Sequence, residues 1–208
     1  MKSKIFDQSG QEYDKWYEEN ESVYKAELNA VRELISPGKG LEIGVGTGRF
    51  AQPFHVEFGI DPSLNMLRLS KKRNISVVQG KGEELPFKKE SFHFILIMVT
   101  LCFVDDVVEV LKESMRTLKK NGLLIMGLIN KNSPLGKDYE KSRQQSKFYK
   151  HAHFFSPEKI LKLLKESGFT FIDSRQTLFR SPGKINDGET LKKGYNKGGF
   201  VVLKAKKV

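Results

Sequence analysis

The stretch LEIGVGTGRF, residues 41–50, decides the fold of this chain. An apolar run with one acid, Glu42, stops at three glycines on alternate positions, Gly44, Gly46 and Gly48. Glycine tolerates positive φ and, with no Cβ, lets a ligand approach the backbone closely. The pattern therefore predicts a strand, a tight ligand-binding turn and a brief helix through residues 49–54.

The spacing of the glycines differs from that of a dinucleotide-binding turn. A G-x-G-x-x-G turn that starts at Gly44 would need its third glycine at the position of Arg49. That third glycine serves close packing of helix on strand, and a helix this short offers little dipole to a pyrophosphate. The turn therefore favours a ligand without phosphates.

Two carboxylates flank the turn. Glu42 lies in an apolar strand, where an unpaired carboxylate is costly and a ligand ammonium would offset the cost. Asp61 ends the second predicted strand, where an acid can accept both hydroxyls of a ribose. An amine, a ribose and no phosphate are together the properties of S-adenosylmethionine.

Outward from the turn, short apolar runs alternate with amphipathic ones, which predicts a parallel sheet with helices on both faces. One helix is predicted over residues 105–120, capped by Asp105 or Asp106 and ended by Asn121-Gly122, and another begins at Ser156. The stretches 130–155 and 181–197 fall outside the alternation and are predicted to be long loops, the first of them at the ligand end of the sheet.

Four motifs, in order and in register, resemble those of class I S-adenosylmethionine-dependent methyltransferases, most closely the small-molecule branch of ubiquinone- and menaquinone-biosynthesis enzymes. They are LEIGVGTGRF, GIDPSLNML, VVQGKGEELPF and FHFILIMVTLCFV, within residues 38–130. The resemblance implies an α/β fold, a three-layer Rossmann-like doubly wound sheet of about seven strands, mostly parallel with one antiparallel C-terminal strand. We expect a single domain over residues 1–208, divided into an N-terminal helical lid (1–36), a cofactor-binding half (37–129), a substrate-side insertion (130–155) and a C-terminal half (156–208).

The resemblance also implies roles for individual residues. Gly44, Gly46 and the neighbouring backbone, including Gly48, would hold the methionine and ribose parts of the cofactor, and Glu42 would meet its amino group directly or through water. Asp61 would bind the ribose hydroxyls. The adenine and the methyl group would be contacted by the remaining predicted residues, which are Pro62, Ser63, Met66, Gly82, Glu83, Met98, Val99 and Thr100.

Two positions depart from the family pattern. Lys81 stands where an acid often accepts a hydrogen bond from the adenine amino group, and lysine has only donors, so that contact would have to come from Glu83, a backbone carbonyl or water. His93 stands where Asp is frequent, at the end of its strand that points away from the site, so we interpret it as structural.

The sequence does not identify a general base. Tyr13, Thr100, His151 and His153 are candidates, and we predict no metal site because two histidines alone are too few ligands. Cys102 is interpreted as a small buried thiol and Arg49 as the partner of a surface acid. Tyr13, Trp16, Tyr17 and Tyr24 could form a lid over the cofactor or could fasten the N-terminal helix to the sheet.

The composition limits the function classes. The chain carries 36 Lys and Arg against 25 Asp and Glu, a net charge of +11, but the lysines are scattered among glutamates, which favours a solvated surface over a nucleic-acid face. The single cysteine fits a reducing, cytoplasmic compartment, and no apolar stretch predicts a membrane span. We expect methyl transfer to a small-molecule acceptor; the alternatives are an RNA or protein methyltransferase, a non-catalytic S-adenosylmethionine-binding module and a nicotinamide oxidoreductase.

Overall fold

The strands form one mixed sheet, which positions the site. The computed structural model describes residues 2–180, 185 and 189–208, with side chains from Ile5 onward. The strands are β1 (Gly40–Ile43), β2 (Phe58–Asp61), β3 (Ser76–Gln79), β4 (Phe92–Met98), β5 (Leu118–Ile129), β6 (Phe169–Thr177), β7 (Lys192–Lys193) and β8 (Phe200–Lys207).

The sheet order is β3-β2-β1-β4-β5-β8-β6-β7. Strands β1 to β5 pair in parallel, while β8 is antiparallel to both β5 and β6. This confirms the doubly wound sheet with a late antiparallel strand. The structure adds an eighth strand, the two-residue β7, which pairs antiparallel with the edge of β6. A strand of two residues carries too little periodicity to be predicted from sequence.

Helices cover both faces of the sheet. They are α1 (Lys2–Gln8), α2 (Gly10–Glu19), α3 (Glu21–Arg32), α4 (Leu64–Lys72), α5 (Val107–Thr117), α6 (Pro134–Ser142) and α7 (Pro157–Glu166), with 3-10 turns at Gln52–Phe54 and Arg143–Gln145. Side chains of α5 and α7 pack in one apolar cluster and those of α3 and α4 in a second, on opposite faces. The predicted brief helix after the glycine turn is the single turn at Gln52–Phe54.

The predicted helix starts are confirmed by their caps. The Asp106 carboxylate accepts from the backbone N–H groups of Val108 and Glu109, and the Ser156 hydroxyl accepts from that of Lys159. These bonds satisfy backbone donors that have no partner inside the helix.

Two predicted boundaries are wrong. Helix α5 ends at Thr117, not at Asn121-Gly122, because Leu118 already pairs with Phe92 of β4. Asn121, with φ of 62°, lies within β5 where its register against β4 shifts, so the Asn-Gly pair forms an irregularity in a strand. The stretch 130–155 is not an unstructured loop, since it contains α6, which starts at the capping residue Ser133. Of the predicted loop 181–197, residues 181–184 and 186–188 lie outside the described residues.

Helices α1 and α2 lie over the glycine turn and are tied to it by ion pairs. The Arg49 guanidinium donates to the Asp14 carboxylate over 2.7 and 2.8 Å and to Glu18 over 2.8 Å. Arg73 donates to the same Asp14 carboxylate over 2.9 Å and to the Thr47 carbonyl over 2.8 Å. Burial raises the pKa of Asp14, but the hydrogen bonds from both arginines outweigh it and leave the pKa below its ordinary value.

Helix α1 is fastened to the start of α4. The Asp7 carboxylate accepts from the Ser63 hydroxyl over 2.8 Å and from the Asn65 backbone N–H over 3.1 Å. The Asn65 side-chain amide donates to the Asp7 carbonyl over 2.8 Å. The N-terminal helices therefore form an ordered cap over the carboxyl ends of β1 and β2.

Candidate functional site

A cavity of about 340 Å³ opens where β1, β2 and β4 end, beneath the cap. Ligands of open α/β sheets bind at this edge, and the volume lies in the range of small-molecule sites. Its lining residues are Phe6, Tyr13, Ile43, Gly44, Gly46, Ile60, Asp61, Pro62, Met66, Gly80, Lys81, Gly82, Glu83, Met98, Val99, Thr100, Phe103, Val104 and Asp105.

Most residues predicted to bind the cofactor come together in this cavity. Ten of the thirteen line it: Gly44, Gly46, Asp61, Pro62, Met66, Gly82, Glu83, Met98, Val99 and Thr100. Glu42, Gly48 and Ser63 lie outside the lining. Among the candidates for a catalytic role, Tyr13 and Thr100 line the cavity, whereas His151 and His153 do not.

The three glycines of the turn have positive φ but different surroundings. At Gly44 a Cβ would lie 2.3 Å from the Thr100 side chain, and at Gly48 it would lie 2.5 Å from that of Ile75. At Gly46, φ is 51° and a Cβ would meet only the ring of Tyr13, 4.0 Å away. Gly44 and Gly48 therefore serve packing, while Gly46 leaves its backbone open toward the cavity.

Asp61 links β2 to the turn. Its carboxylate accepts from the backbone N–H of Gly46 over 3.0 Å and from that of Ser63 over 2.9 Å. Burial raises the pKa of Asp61 to about 6, although both backbone donors lower it. The group is therefore mostly ionised at neutral pH, and its remaining lone pairs can accept hydrogen bonds from a ligand.

Glu42 lies beneath the turn rather than in the cavity wall. The residue is 1% exposed, and its Oε2 has no hydrogen-bond partner among the described residues. Burial raises the pKa of Glu42 well above its ordinary value, opposed by a hydrogen bond from the Ala51 backbone. Direct contact between Glu42 and a ligand in the cavity is not available in this arrangement.

One end of the cavity is lined by Pro62, Met66, Lys81, Glu83 and Asp105. The Glu83 carboxylate accepts from the backbone N–H groups of Asp105 over 2.8 Å and Asp106 over 3.4 Å, which holds the chain that enters α5. Lys81 pairs with Asp105 over 3.5 Å, and both side chains are about two-thirds exposed. Glu83 and Asp105 therefore provide carboxylate acceptors beside Lys81, which has only donors.

Another part of the cavity wall is aromatic. Phe6 and Phe103 meet edge to face at 5.0 Å between ring centroids, and Tyr13 meets Phe6 at 5.6 Å. The hydroxyls of Tyr13 and Tyr17 are hydrogen-bonded over 2.9 Å. Burial raises the pKa of Tyr13, so its hydroxyl stays neutral and can donate a proton to a hydrogen bond but does not act as a base at neutral pH. Thr100 donates from Oγ1 to the Met98 carbonyl over 3.0 Å.

Several interpretations of single residues can be compared with the structure. His93 Nδ1 accepts from the Lys39 backbone N–H over 2.9 Å, far from the cavity, as a structural residue would. Cys102 is buried outside the cavity lining, and Arg49 pairs with acids of α2. His151 and His153 are exposed, and no group of three metal-ligating side chains occurs in the described part of the chain. Of the N-terminal aromatic residues, Tyr13 lines the cavity, while Trp16, Tyr17 and Tyr24 pack in the core.

Sequence reasoning missed Phe6 and Phe103 as cavity residues. Helix α1 has only seven residues, too few to show a periodic apolar face, so nothing in the sequence marks Phe6. Phe103 follows the end of β4 by five residues, and its place beside the predicted Val99 and Thr100 was a usable signal. No helix in the described ranges combines the length and apolar character that crossing a bilayer requires.

The chain is similar to several known proteins. A family model described as a methyltransferase domain matches residues 41–126. An uncharacterized protein of Methanocaldococcus jannaschii is 47% identical over 204 residues, covering 98% of this chain and 99% of its own. The crystal structure of an S-adenosylmethionine-dependent methyltransferase from Thermotoga maritima, described as a possible histamine N-methyltransferase, has 43% identity and a TM-score of 0.96, with 100% of both chains covered. Demethylmenaquinone methyltransferase of Lactococcus lactis is 31% identical over 156 residues, 72% of this chain and 57% of that enzyme.

Proposed function

Because the chain belongs to the S-adenosylmethionine-dependent methyltransferase family, we propose that it transfers the methyl group of this cofactor to a small-molecule acceptor. The observation that carries the proposal is the cavity of about 340 Å³ beneath the cap, with an aromatic wall beside the end of β4. A concave site of this size suits a small acceptor better than a segment of a macromolecule.

The residues of the cavity fit the cofactor. The open backbone at Gly46 gives room for the methionine part, where a side chain would stand in the way. Asp61, held by the Gly46 and Ser63 backbone, would accept the ribose hydroxyls. Pro62 and Met66 would bound the adenine, while Glu83 or Asp105 would supply acceptors that Lys81 lacks.

The cofactor supplies a methyl group that is already activated on a sulfonium sulfur. The chain's own residues then have to bring the acceptor in line with that methyl group, and alignment at about 3–3.5 Å is itself worth several kcal/mol. Val99 and Thr100 directly follow β4 and would form the wall where the two ligands meet. Tyr13 would orient the acceptor by donating its phenolic hydrogen, since its raised pKa keeps that hydrogen in place.

The names of relatives support a small acceptor but differ in its kind. One is described as a possible histamine N-methyltransferase and another is named a demethylmenaquinone methyltransferase. The two agree only in naming small molecules. The net charge of +11 is the observation that favours an RNA or protein substrate instead.

The test is a product assay. Purified protein with S-adenosylmethionine is offered a fractionated small-metabolite extract, bulk RNA and denatured protein in separate reactions, and release of S-adenosylhomocysteine is measured. We expect release only with the metabolite fraction. Release with RNA would contradict the small-molecule proposal, while binding of S-adenosylhomocysteine without release in any reaction would indicate a non-catalytic binding module. A thermal shift with NADH but none with S-adenosylhomocysteine would contradict the cofactor assignment.

A further inference from the structure

Helix α1 lies across the cavity and contacts the protein on both sides of it. On one side, Phe6 meets Phe103 edge to face at 5.0 Å between ring centroids, and Phe103 belongs to the chain after β4. On the other side, Asp7 contacts Ser63 and Asn65 at the start of α4, which follows β2. Because β2 and β4 flank β1 in the sheet, α1 spans the end of β1, where the cavity opens.

The Asp7 carboxylate links α1 to α4. Its Oδ1 accepts from the Ser63 hydroxyl over 2.8 Å and from the Asn65 backbone N–H over 3.1 Å. These hydrogen bonds, the one from Asn65 first, lower the pKa of Asp7 below its ordinary value, so the group is ionised at neutral pH. A carboxylate at the first turn of a helix is also stabilised by the free backbone N–H groups and the helix dipole. Asp7 therefore caps a helix to which it does not belong.

Ser63 connects this link to the proposed ribose site. Its backbone N–H donates to one oxygen of the Asp61 carboxylate over 2.9 Å, while its hydroxyl donates to Asp7. The other oxygen of Asp61 accepts from the Gly46 backbone N–H over 3.0 Å. A continuous chain of hydrogen bonds therefore runs from the glycine turn through Asp61 and Ser63 to α1. Ser63 is outside the cavity lining, so its effect on a ligand has to pass through these neighbours.

We propose that Asp7 is a positioning residue, which acts through Ser63 to hold α1 over the bound cofactor. Phe6 lines the cavity, so movement of α1 away from α4 withdraws part of the cavity wall. A cofactor whose ribose hydroxyls bind Asp61 keeps that carboxylate in the orientation that receives the Ser63 N–H. Binding of the cofactor and attachment of α1 therefore favour each other. This inference rests on the proposed function, because it concerns the retention of the cofactor in the same cavity.

The arrangement predicts that Asp7 governs how fast the cofactor leaves. Replacement of Asp7 leaves the strand ends and the glycine turn in place, so the association rate should change little. Departure requires α1 to move aside, and loss of the carboxylate removes two hydrogen bonds that oppose this movement. The predicted signature is therefore a faster dissociation of the ligand together with a local loosening of α1.

Surface plasmon resonance with S-adenosylhomocysteine as the probe tests the proposal. We expect Asp7→Ala to release this ligand about tenfold faster than the native protein, the change that loss of hydrogen bonds to a charged group produces. Asp7→Asn keeps an oxygen that can accept from both donors, so its dissociation rate should stay within about threefold of the native value. In hydrogen exchange, S-adenosylhomocysteine should protect the backbone amides of α1 in the native protein and in Asp7→Asn, but not in Asp7→Ala.

The matched control is Glu19→Ala, which removes the same charge from an exposed position on α2. It should leave both the dissociation rate and the exchange of α1 unchanged. A native dissociation rate in Asp7→Ala would overturn the proposal, as would an Asp7→Asn variant that is as fast as Asp7→Ala. Faster exchange spread evenly over all helices of Asp7→Ala would also overturn it, because that result indicates a purely structural role. Failure of S-adenosylhomocysteine to bind the native protein would instead overturn the proposed function, on which this inference rests.

Discussion

The two sides of the cavity are built in different ways. The sheet side takes its residues from four short segments at the carboxyl ends of β1, β2, β3 and β4, and most of them lie within a few residues of a strand end. The cap side takes Phe6 from α1 and Tyr13 from α2, whose rings are brought together only by folding. In the proposed function, the sheet side binds the cofactor and the cap side contacts the acceptor.

The strand and helix layers also contain buried carboxyl groups. Glu42 lies beneath the glycine turn, and its Oε2 has no hydrogen-bond partner among the described residues, while Glu27 lies on α3 and is 7% exposed. Burial raises the pKa of both groups. Neither group is among the residues that line the cavity.

The largest expected effect is on stability, when the ion pair that joins the cap to the glycine turn is removed. Arg49→Ala removes the pair with Asp14, whose side chain is 17% exposed, and leaves that carboxylate with Arg73 alone. We expect a loss of about 3 kcal/mol in the free energy of unfolding, the typical cost of breaking a largely buried pair. Urea denaturation measures it.

Lys15→Ala serves as the control, because the Lys15–Glu19 pair is exposed on the outside of α2. Its loss should leave the free energy of unfolding almost unchanged, because solvent screens an exposed pair. Equal destabilisation by the two substitutions would mean that the cap is not held by the Asp14 pairs.

The next effect concerns the sheet side alone. Asp61→Ala removes the proposed acceptor of the ribose hydroxyls and the bond to the Gly46 N–H. Affinity for S-adenosylhomocysteine should fall by about 2 kcal/mol, the range for hydrogen bonds to a charged group. Calorimetry compares this variant with Asp138→Ala, an exposed acid on α6 that should change nothing. Unchanged affinity in Asp61→Ala would place the ribose elsewhere.

A third prediction concerns the cap side and pH. The pKa of Glu27 is about 8 in the folded protein and near its ordinary 4.5 when unfolded, so the folded state holds a proton that the unfolded state has lost between these values. The stabilisation is complete below pH 4.5 and is lost as the pH rises through 8. Between pH 6 and 8, we expect the native protein to lose about 2 kcal/mol more stability than Glu27→Gln.

Comparing the native protein with Glu27→Gln separates the titration of Glu27 from that of other groups. The five tyrosines around it have raised pKa values and stay neutral across this range. Asp61 titrates near pH 6 in both proteins, so its contribution cancels in the difference. Chemical denaturation at a series of pH values gives the free energy of unfolding of both proteins as a function of pH. Parallel curves would show that burial does not raise the pKa of Glu27.

The smallest expected effect is at Lys81. Lys81→Ala breaks an exposed ion pair with Asp105 and removes no acceptor from the adenine end. Affinity for S-adenosylhomocysteine should change by less than about 1 kcal/mol. A larger loss in calorimetry would mean that Lys81 contacts the cofactor directly.

The same contrast explains what could be predicted from the sequence. Gly46, Asp61 and Val99 follow strands whose apolar runs are unmistakable, so their place at one edge of the sheet follows from the alternation of strands and helices. Glu27 was not predicted, although a glutamate between Tyr24 and Val31 on the apolar stripe of a helix is a readable signal. Phe6 could not be predicted, because only the packing of distant segments brings it to the cavity. Asn121-Gly122 was misplaced because the same dipeptide suits a helix end and an irregular strand equally well.

A crystal structure of the protein with S-adenosylhomocysteine tests the central claim most directly. We predict that the ligand fills the cavity beside Gly46, with both ribose hydroxyls on the Asp61 carboxylate and the sulfur directed toward Val99 and Thr100. A ligand bound elsewhere, or an Asp61 carboxylate that contacts no part of the ribose, would contradict the account.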